Sequence, residues 1–269
     1  MPHADTQAAP PAPGADQRLA WTDADLAAVH DRADKHERVR AMFGAIAGRY
    51  DLNNRLHSFG RDQAWRRFAV RAAAVRAGDH VLDVACGTGD LTLAFARRSP
   101  AQRVVGGDFT PRMLDVARDK LARQPGPLRD RVEFRETDAM ALPFDDATFD
   151  VVSIAFGIRN VQDPDLAFRE FARVLRPGGR LVVLEFDRPR NPAIRWGNDL
   201  YCNVIMPRTA TLIAHDRSGA YKYLPKSVGA FMDRDELAKR VEAAGFERAH
   251  GTPLTFGVCV CTVAHRPAR

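Results

Sequence analysis

Residues 81–90 read Val-Leu-Asp-Val-Ala-Cys-Gly-Thr-Gly-Asp, a short apolar strand that runs into a Gly-Thr-Gly turn. Asp90 stands where the following helix is expected to begin. Glycine has no Cβ and tolerates positive φ, so a turn of this kind lets the backbone approach a ligand closely. The stretch therefore predicts a ligand site of the nucleotide type, with Gly87, Thr88 and Gly89 as binding residues.

The Asp90 carboxylate indicates which ligand suits this turn. A helix N-terminus that held a pyrophosphate would place the acid against like charge. S-Adenosylmethionine has no phosphate and carries a sulfonium cation, so we interpret the turn as a site for this methyl donor. The main rival is a dinucleotide-binding dehydrogenase, whose Gly-x-Gly-x-x-Gly pattern has Thr92 at its third glycine position here. A tight turn without a ligand is the structural alternative.

Two later carboxylates extend the predicted donor site. Asp108 ends the next β-like run, about 20 residues after the turn, where the ribose hydroxyls are usually bound. Asp138 follows a third run, 132–135. We expect its carboxylate to accept the adenine amine and the Ala139 N–H to donate to a ring nitrogen, although an Asx turn would also explain an aspartate here.

Strand and helix patterns alternate as far as residue 187, which predicts an α/β fold with a doubly wound, mostly parallel sheet. The turn Arg176-Pro177-Gly178-Gly179 is expected to lead into a fifth strand at 180–185. A helix capped by Asp233 and a hairpin between 247 and 264 would complete seven strands. We expect one methyltransferase domain over residues 18–269, with N-terminal helices in 18–79.

Two segments stand apart from this alternation. Residues 1–17 are rich in Ala and Pro and nearly lack large apolar side chains, which predicts a disordered tail. Residues 188–217 mix Trp196, Leu200 and other apolar side chains with several arginines and have no strand pattern. They are expected to form a helical insertion that covers the acceptor pocket, and a plain packing helix fits the pattern equally well.

The formal charge of +6 arises from 40 Lys and Arg against 34 Asp and Glu, dispersed along the chain. Basic residues dispersed in this way usually belong to a solvated surface, so no nucleic-acid partner is expected. Attraction to an anionic membrane surface is equally compatible with them. Neither a targeting signal nor the ~20-residue apolar run of a spanning helix is recognisable, so a cytoplasmic protein is expected. The four cysteines lack disulfide or metal-ligand spacing, and no metal site is expected.

The fourth predicted strand, 149–156, ends in Gly157-Ile158-Arg159-Asn160. Amino methyltransferases that act on nucleic acids commonly carry Asn-Pro-Pro-Tyr or Asp-Pro-Pro-Tyr at this tip, and this chain does not. Arg159 and Asn160 can instead stabilise an oxyanion, and they are the predicted catalytic residues. The alternative is that Arg159 only pairs with an acid such as Asp163 to shape the loop.

Several motifs together resemble the UbiE/MenG/COQ5 family of quinone C-methyltransferases. Residues 47–66 resemble its N-terminal signature, and its other landmarks match 85–90, 156–161, 175–181 and 221–227. The resemblance covers roughly residues 37–264, and it is specific because several different motifs occur in the right order.

The resemblance implies methylation of a ring carbon of a polyprenylated quinol, with S-adenosylmethionine as donor. Conversion of demethylmenaquinol to menaquinol is the expected reaction. The ubiquinone precursor, or both quinols, remains the alternative, and a donor-binding scaffold without turnover is the alternative from another class. The polyprenyl tail implies transient contact with the inner face of the membrane. Whether two copies form a homodimer is left open.

Carried over by position, the family's donor contacts fall on Thr88, Asp108, Asp138 and Ala139. A further family contact is a serine before the Phe-Gly pair, and Ala155 replaces it here, so that only backbone groups remain. A quinol carbon becomes nucleophilic once the adjacent hydroxyl loses its proton, so the site must stabilise a quinolate. Tyr50 and His57 are further candidates to assist Arg159 and Asn160.

Overall fold

The computed structural model describes residues 21–22, 25–30, 32–206 and 220–268. Seven strands form a single sheet, and each is 5 to 12 residues long. The strands are β1 (His80–Val84), β2 (Arg103–Asp108), β3 (Val132–Glu136), β4 (Phe149–Ala155), β5 (Leu175–Phe186), β6 (Glu247–Leu254) and β7 (Cys259–His265).

The strands lie in the order β3-β2-β1-β4-β5-β7-β6. The first five pair in parallel, and β7 runs antiparallel to both β5 and β6. The predicted doubly wound, mostly parallel sheet is confirmed. The chain leaves β1 toward β2 on one side and returns to β4 on the other, so the carboxyl end of β1 lies at the topological switch point, where open α/β sheets bind ligands.

Ten α-helices are described around the sheet. They are α1 (Lys35–Ile46), α2 (Tyr50–His57), α3 (Arg61–Ala72), α4 (Asp90–Arg98), α5 (Pro111–Ala122), α6 (Gly126–Arg129), α7 (Pro164–Val174), α8 (Pro192–Leu200), α9 (Ala220–Ala230) and α10 (Arg234–Ala243).

Two apolar cores bury the two faces of the sheet. One core contains apolar side chains of α3, α4 and α5, and the other those of α7 and α10. A third cluster joins α1 to α9 through Met42 and Tyr223 and includes Trp21. Strands covered on both faces must be largely apolar, which explains the continuous apolar runs in the sequence.

Two strand boundaries differ from the prediction. β5 begins at Leu175, not at Arg180, because the turn 176–179 is accommodated as an irregularity: Phe149 pairs with Leu175, and Val151 pairs with Arg180. The last strand, for which the β-like run predicts 255–264, begins at Cys259, since residues 255–257 form a 3-10 turn. The helix cap at Asp233 is confirmed: its side chain accepts from the N–H groups of the first helical turn.

The segment after β5 is helical as far as it is described. α8 continues directly into a π-helical turn, Tyr201–Ile205. The rest of the predicted insertion, 207–217, and the predicted tail, 1–17, lie outside the described residues. Within the described ranges, no helix has the length and apolar character needed to cross a membrane.

Candidate functional site

A cavity, here the glycine-turn cavity, lies at the carboxyl ends of β1, β2, β3 and β4. Five of the predicted site residues line it: Gly87, Asp108, Asp138, Ala139 and Asn160. Gly87 has a φ of +55°, and no atom lies within 4 Å of the position that a Cβ would take. The backbone at this residue is therefore open to the cavity, which is the close-approach geometry that a glycine permits.

Asp108 is the buried carboxylate at the base of this cavity. Its Oδ2 accepts from the Gly87 N–H at 2.8 Å, and its Oδ1 accepts from the Thr110 N–H at 2.8 Å. Burial raises the pKa of Asp108, although these two N–H groups oppose the shift. One acid thus holds the glycine turn and keeps further lone pairs for the cavity, since a carboxylate can accept about four hydrogen bonds.

Asp138 and Ala139 form the neighbouring wall. The Asp138 Oδ1 accepts from the Met140 N–H at 2.9 Å, which is the Asx-type arrangement considered as the alternative for this residue. Both residues also line the glycine-turn cavity. The two interpretations are compatible, because the bond to Met140 occupies only one of the two carboxylate oxygens.

The other turn residues face away from this cavity. The Thr88 hydroxyl donates to Asp51 Oδ1 at 2.5 Å, and the Lys120 ammonium donates to Thr88, Asp51 and Asp90. A Cβ on Gly89 would lie 2.6 Å from the Phe134 ring, and its φ is +79°. Packing and backbone conformation therefore account for glycine at position 89.

Asp90 corrects one step of the sequence argument. The sequence pattern indicates an acid that a nearby sulfonium tolerates, but the Asp90 carboxylate contacts Lys120 and accepts from Gln63 Nε2 at 3.0 Å, outside the glycine-turn cavity. Burial alone would raise the pKa of Asp90, and Lys120 with Arg66 more than offsets this, so the pKa lies below its usual value. The acid belongs to an ion-pair network behind the turn.

A second cavity, here the large cavity, has a volume of about 820 Å³ and a mostly apolar lining from α1, α2, α3, α8 and α9. Phe43, Tyr50 and Phe156 line both this cavity and the glycine-turn cavity. The two cavities therefore adjoin at these three aromatic side chains, next to the tip of β4.

Arg159 lies in the wall of the large cavity and is buried. Its Nη1 donates to Glu185 Oε1 at 2.6 Å and to the Phe156 carbonyl at 2.7 Å. Arg159 therefore does pair with an acid, as the alternative interpretation predicts, but the acid is not Asp163, which caps α7 by accepting from the Leu166 N–H at 3.0 Å. Arg159 is held by an acid at the end of the neighbouring strand.

Asn160 faces the glycine-turn cavity, one residue along the same turn. Its Nδ2 donates to the Phe156 carbonyl at 3.2 Å, and its Oδ1 accepts from the Tyr223 hydroxyl at 2.9 Å. The two predicted catalytic residues thus line two different cavities. They are consecutive in the chain, so the turn that carries them lies between the two cavities.

Tyr50 and His57 both line the large cavity from α2. Burial raises the pKa of the Tyr50 hydroxyl and lowers the pKa of His57. The Tyr201 hydroxyl donates to the His57 carbonyl at 3.0 Å and lies 3.4 Å from Nδ1. His57 therefore connects α2 to the π-helical turn.

Sequence reasoning missed Glu185 and Tyr223, which hold Arg159 and Asn160. Glu185 was visible as a charged residue at the end of an apolar strand, where a paired buried acid is expected. Tyr223 lies within the 221–227 motif, to which no chemical role was given. In both cases the signal was present, and the partner could be named only once strands and helices were assembled.

Comparison with known proteins identifies the family that the sequence motifs resemble. The profile of the ubiE/COQ5 methyltransferase family matches residues 31–266. A demethylmenaquinone methyltransferase of Thermus thermophilus is 48% identical over 226 residues, covering 84% of this chain and 100% of the relative. The demethylmenaquinone methyltransferase of Deinococcus radiodurans is 44% identical, with 86% and 93% covered. The ubiquinone/menaquinone biosynthesis C-methyltransferase UbiE of Hahella chejuensis is 44% identical, with 84% and 90% covered.

Solved structures resemble the chain at the level of the fold. A SAM-dependent methyltransferase from Aquifex aeolicus matches with a TM-score of 0.56 at 16% identity, covering 80% of this chain and 97% of that one. A chain in the complex between the Haloferax volcanii Trm112 methyltransferase activator and a methyltransferase gives a TM-score of 0.61 at 20% identity, with 84% and 97% covered. The fold is the class I methyltransferase fold, and the chain belongs to the ubiE/COQ5 methyltransferase family.

Proposed function

We propose that this protein methylates a ring carbon of a polyprenylated quinol with S-adenosylmethionine as donor, and that demethylmenaquinol is its acceptor. The observation that carries the proposal is the junction of the two cavities at Phe43, Tyr50 and Phe156. The smaller cavity, which holds the two carboxylates proposed to bind the donor, adjoins there the large cavity proposed for the acceptor. Direct transfer of a methyl group needs this contact between donor and acceptor sites.

The residues of the glycine-turn cavity fit the donor. Asp108 would accept the two ribose hydroxyls, since its bonds to Gly87 and Thr110 leave lone pairs available. Asp138 would accept the adenine amine, and the Ala139 N–H would donate to a ring nitrogen. Thr88 and Gly89 would contribute through the shape of the turn, because the Thr88 hydroxyl is engaged with Asp51.

The large cavity fits a quinol with an apolar tail. When bound, S-adenosylmethionine supplies the methyl group as an electrophilic carbon on sulfonium. Arg159 would stabilise the negative charge that develops on the quinol oxygen when its proton leaves, as an oxyanion donor does. Asn160, fixed by Tyr223, would orient the ring toward the donor. Arginine keeps its charge at working pH, so it would hold the quinolate and would not act as a base.

The acceptor's tail gives a reason for contact with a membrane surface, which is a further part of this proposal. Trp196 and Leu200 lie four residues apart on α8 and are exposed, while Asn198 and Tyr201 of the same segment line the large cavity. An amphipathic segment with outward apolar side chains and nearby arginines binds at the headgroup level of a bilayer. The protein would then act at the inner face of the cytoplasmic membrane.

The ubiquinone precursor is the second candidate acceptor. It is favoured by one specific observation, that relatives named for ubiquinone and menaquinone together match at 40–44% identity, close to the 42–48% of those named for demethylmenaquinone. The proposal is tested by incubating the purified protein with S-adenosylmethionine and short-chain forms of each quinol, followed by mass spectrometry of the products.

We expect a single added methyl group on the naphthoquinol ring, with S-adenosylhomocysteine formed in equal amount. Methylation of the benzoquinol alone would show that the ubiquinone precursor is the acceptor, and the proposed type of reaction would stand. Donor binding without methylation of either quinol would reject the enzyme and leave a donor-binding scaffold.

A further inference from the structure

We propose that α2 docks this protein onto an anionic bilayer, with its outer apolar side chains in the headgroup region and a phospholipid phosphate in a basic cleft beside it. The proposal deepens the proposed function, since it supplies the surface from which a membrane-bound quinol would enter the large cavity. It concerns α2 and its neighbours α3, α4 and α5, not the α8 segment.

The eight residues of α2 present three different faces. Tyr50, Asn54 and His57 line the large cavity, and Asp51 with Arg55 lines a separate cleft. At about 100° per residue, Leu52 and Leu56 fall on the side away from the large cavity and next to the cleft, while Asn53, the remaining residue, is buried. One short helix thus separates the acceptor site, a charged cleft and an apolar outer row.

The apolar outer row is largely exposed. Leu52 is 54% exposed and Leu56 is 48% exposed, and Phe59, just past the end of the helix, is 78% exposed. Phe59 also lines the large cavity, and its ring lies 5.7 Å from that of Tyr201. The row therefore ends at the rim of the large cavity, where an acceptor would enter.

The cleft on the other side of the row, here the basic cleft, has a volume of about 320 Å³. Its charged lining contains two carboxylates, Asp51 and Asp90, and six basic side chains, which are Arg55, Arg66, Arg67, Arg97, Arg98 and Lys120. The carboxylates are shared by Lys120, and Arg66 pairs with Asp62 at 2.8 Å.

Four arginines of the basic cleft keep most of their charge uncompensated. Arg55 is 3.5 Å from Asp90 but more than half exposed, and among the described residues Arg97 donates only to the neutral Gln124. Within the described residues, no ion pair involves Arg67 or Arg98. A concave site with this excess of guanidinium groups favours a phosphate, which guanidinium binds with two parallel hydrogen bonds.

An apolar row beside a phosphate-binding cleft matches a phospholipid surface better than it matches free phosphate. Apolar side chains are stabilised when they enter the acyl boundary, and each arginine near an anionic surface adds a favourable electrostatic contribution. With both contacts made, the rim of the large cavity at Phe59 faces the bilayer. A polyprenyl tail could then stay in the lipid while the ring enters the cavity.

The test measures binding to vesicles of phosphatidylcholine with or without phosphatidylglycerol, by co-sedimentation of the full chain. The apolar variant is Leu52→Ser with Leu56→Ser, and the charge variant is Arg67→Glu with Arg98→Glu. Leu166→Ser on α7 and Lys239→Glu on α10 are matched controls, because both helices pack on the opposite face of the sheet. Melting temperatures of all variants check that they fold.

We expect the apolar variant to bind anionic vesicles at least about 10-fold more weakly, with both controls unchanged. The charge variant should bind vesicles with and without phosphatidylglycerol equally well. Added salt should likewise reduce the preference of the wild type for the anionic vesicles. Wild-type binding in both variants would overturn the proposal. Saturable binding of inorganic phosphate without any preference for anionic vesicles would assign the cleft to free phosphate and would also overturn it.

Turnover of a short-chain quinol separates this proposal from the proposed function. Neither variant touches residues that line the large cavity or the glycine-turn cavity, so soluble turnover should be unaffected. Loss of vesicle binding with normal soluble turnover supports the docking surface. If the wild type methylates no quinol, the proposed function fails, and the vesicle experiment still decides the docking surface by itself.

Discussion

Arg159 and Glu185 form a buried ion pair at the adjacent ends of β4 and β5, with 2.6 Å between Nη1 and Oε1. The guanidinium also stands 5.3 Å from the centroid of the Phe186 ring. Burial raises the pKa of Glu185, although Arg159 opposes the shift. The acid therefore fixes the position of the cation in the wall of the large cavity and moderates its charge.

The first prediction concerns Arg159 itself. Replacing it by alanine removes the cation that would stabilise the quinolate, so Arg159→Ala should lower single-turnover methyl transfer by about 10²-fold or more. Donor affinity, measured by calorimetry, should stay within about threefold because Arg159 does not line the glycine-turn cavity. Asp163→Asn is the control, since Asp163 only caps α7. Near-normal turnover of Arg159→Ala would remove this residue from the catalytic site.

A second prediction separates the catalytic role of Arg159 from the contribution of its ion pair with Glu185 to stability. Glu185→Gln leaves a buried guanidinium without its counter-charge, which should lower the free energy of unfolding by about 3–5 kcal/mol. The double variant Arg159→Met with Glu185→Gln should recover most of that loss but not the turnover. Urea unfolding and single-turnover rates measure both quantities. If the double variant regains activity, the pair serves only the fold.

Tyr223 provides the third prediction. Tyr223→Phe keeps the ring but removes the donor to Asn160 Oδ1, leaving a buried amide oxygen unsatisfied. We expect a loss of about 1–3 kcal/mol in the free energy of unfolding. If Asn160 orients the acceptor, the quinol KM should rise more than the donor Kd. A fall in stability alone, with unchanged quinol kinetics, would leave Tyr223 as a packing residue.

The fourth prediction addresses the donor. Asp108→Asn keeps the size of the side chain and one acceptor oxygen, but it loses the charge that would bind the ribose hydroxyls. We expect the Kd for S-adenosylmethionine to rise by about 10- to 100-fold, which corresponds to about 1.4–2.8 kcal/mol. Asp150→Asn is a matched control, because this acid pairs with Arg176 away from the cavity. Equal donor affinity in the two variants would contradict the role of Asp108.

Local signals predicted the sheet and one wall of the site. Gly87 and Asp108 follow strands at the switch point, and their positions depend only on backbone geometry and topology. The direction of Thr88 and Asp90 could not be predicted, because Lys120 on α5 draws both side chains behind the turn. That contact joins residues about 30 positions apart and depends on how helices pack.

The tip of β4 shows the same division between local and tertiary signals. The sequence predicts Arg159 and Asn160 at the end of β4, but it offers Asp163 only as an example of an acid that could pair with Arg159. The partner is Glu185, which the parallel pairing of β4 with β5 brings beside the tip. Sequence distance is a poor guide where neighbouring strands are separated by a helix.

The last prediction uses Asp83, a buried acid that accepts from the Thr92 hydroxyl at 2.7 Å and from the Ser153 hydroxyl at 2.8 Å. Burial raises its pKa to about 6, although both hydroxyls oppose the shift. The unfolded chain has the ordinary value of about 4. Below that pH the carboxyl is neutral in both states, and its contribution to stability is fully present. As the pH rises through about 6, the folded state loses a proton that the unfolded state has already lost.

Stability should therefore fall between pH 4 and 6 by roughly 3 kcal/mol on account of Asp83. Asp83→Asn should lack this slope, because its amide does not titrate and either hydroxyl can turn to accept from it. The measurement is the difference in urea unfolding free energy between wild type and variant from pH 4 to pH 8, in which the other carboxylates cancel. The free energy of unfolding of the variant should rise relative to that of the wild type as the pH rises. Two parallel curves would mean that Asp83 is ionised in the folded protein throughout this range, with its hydroxyl partners compensating its burial.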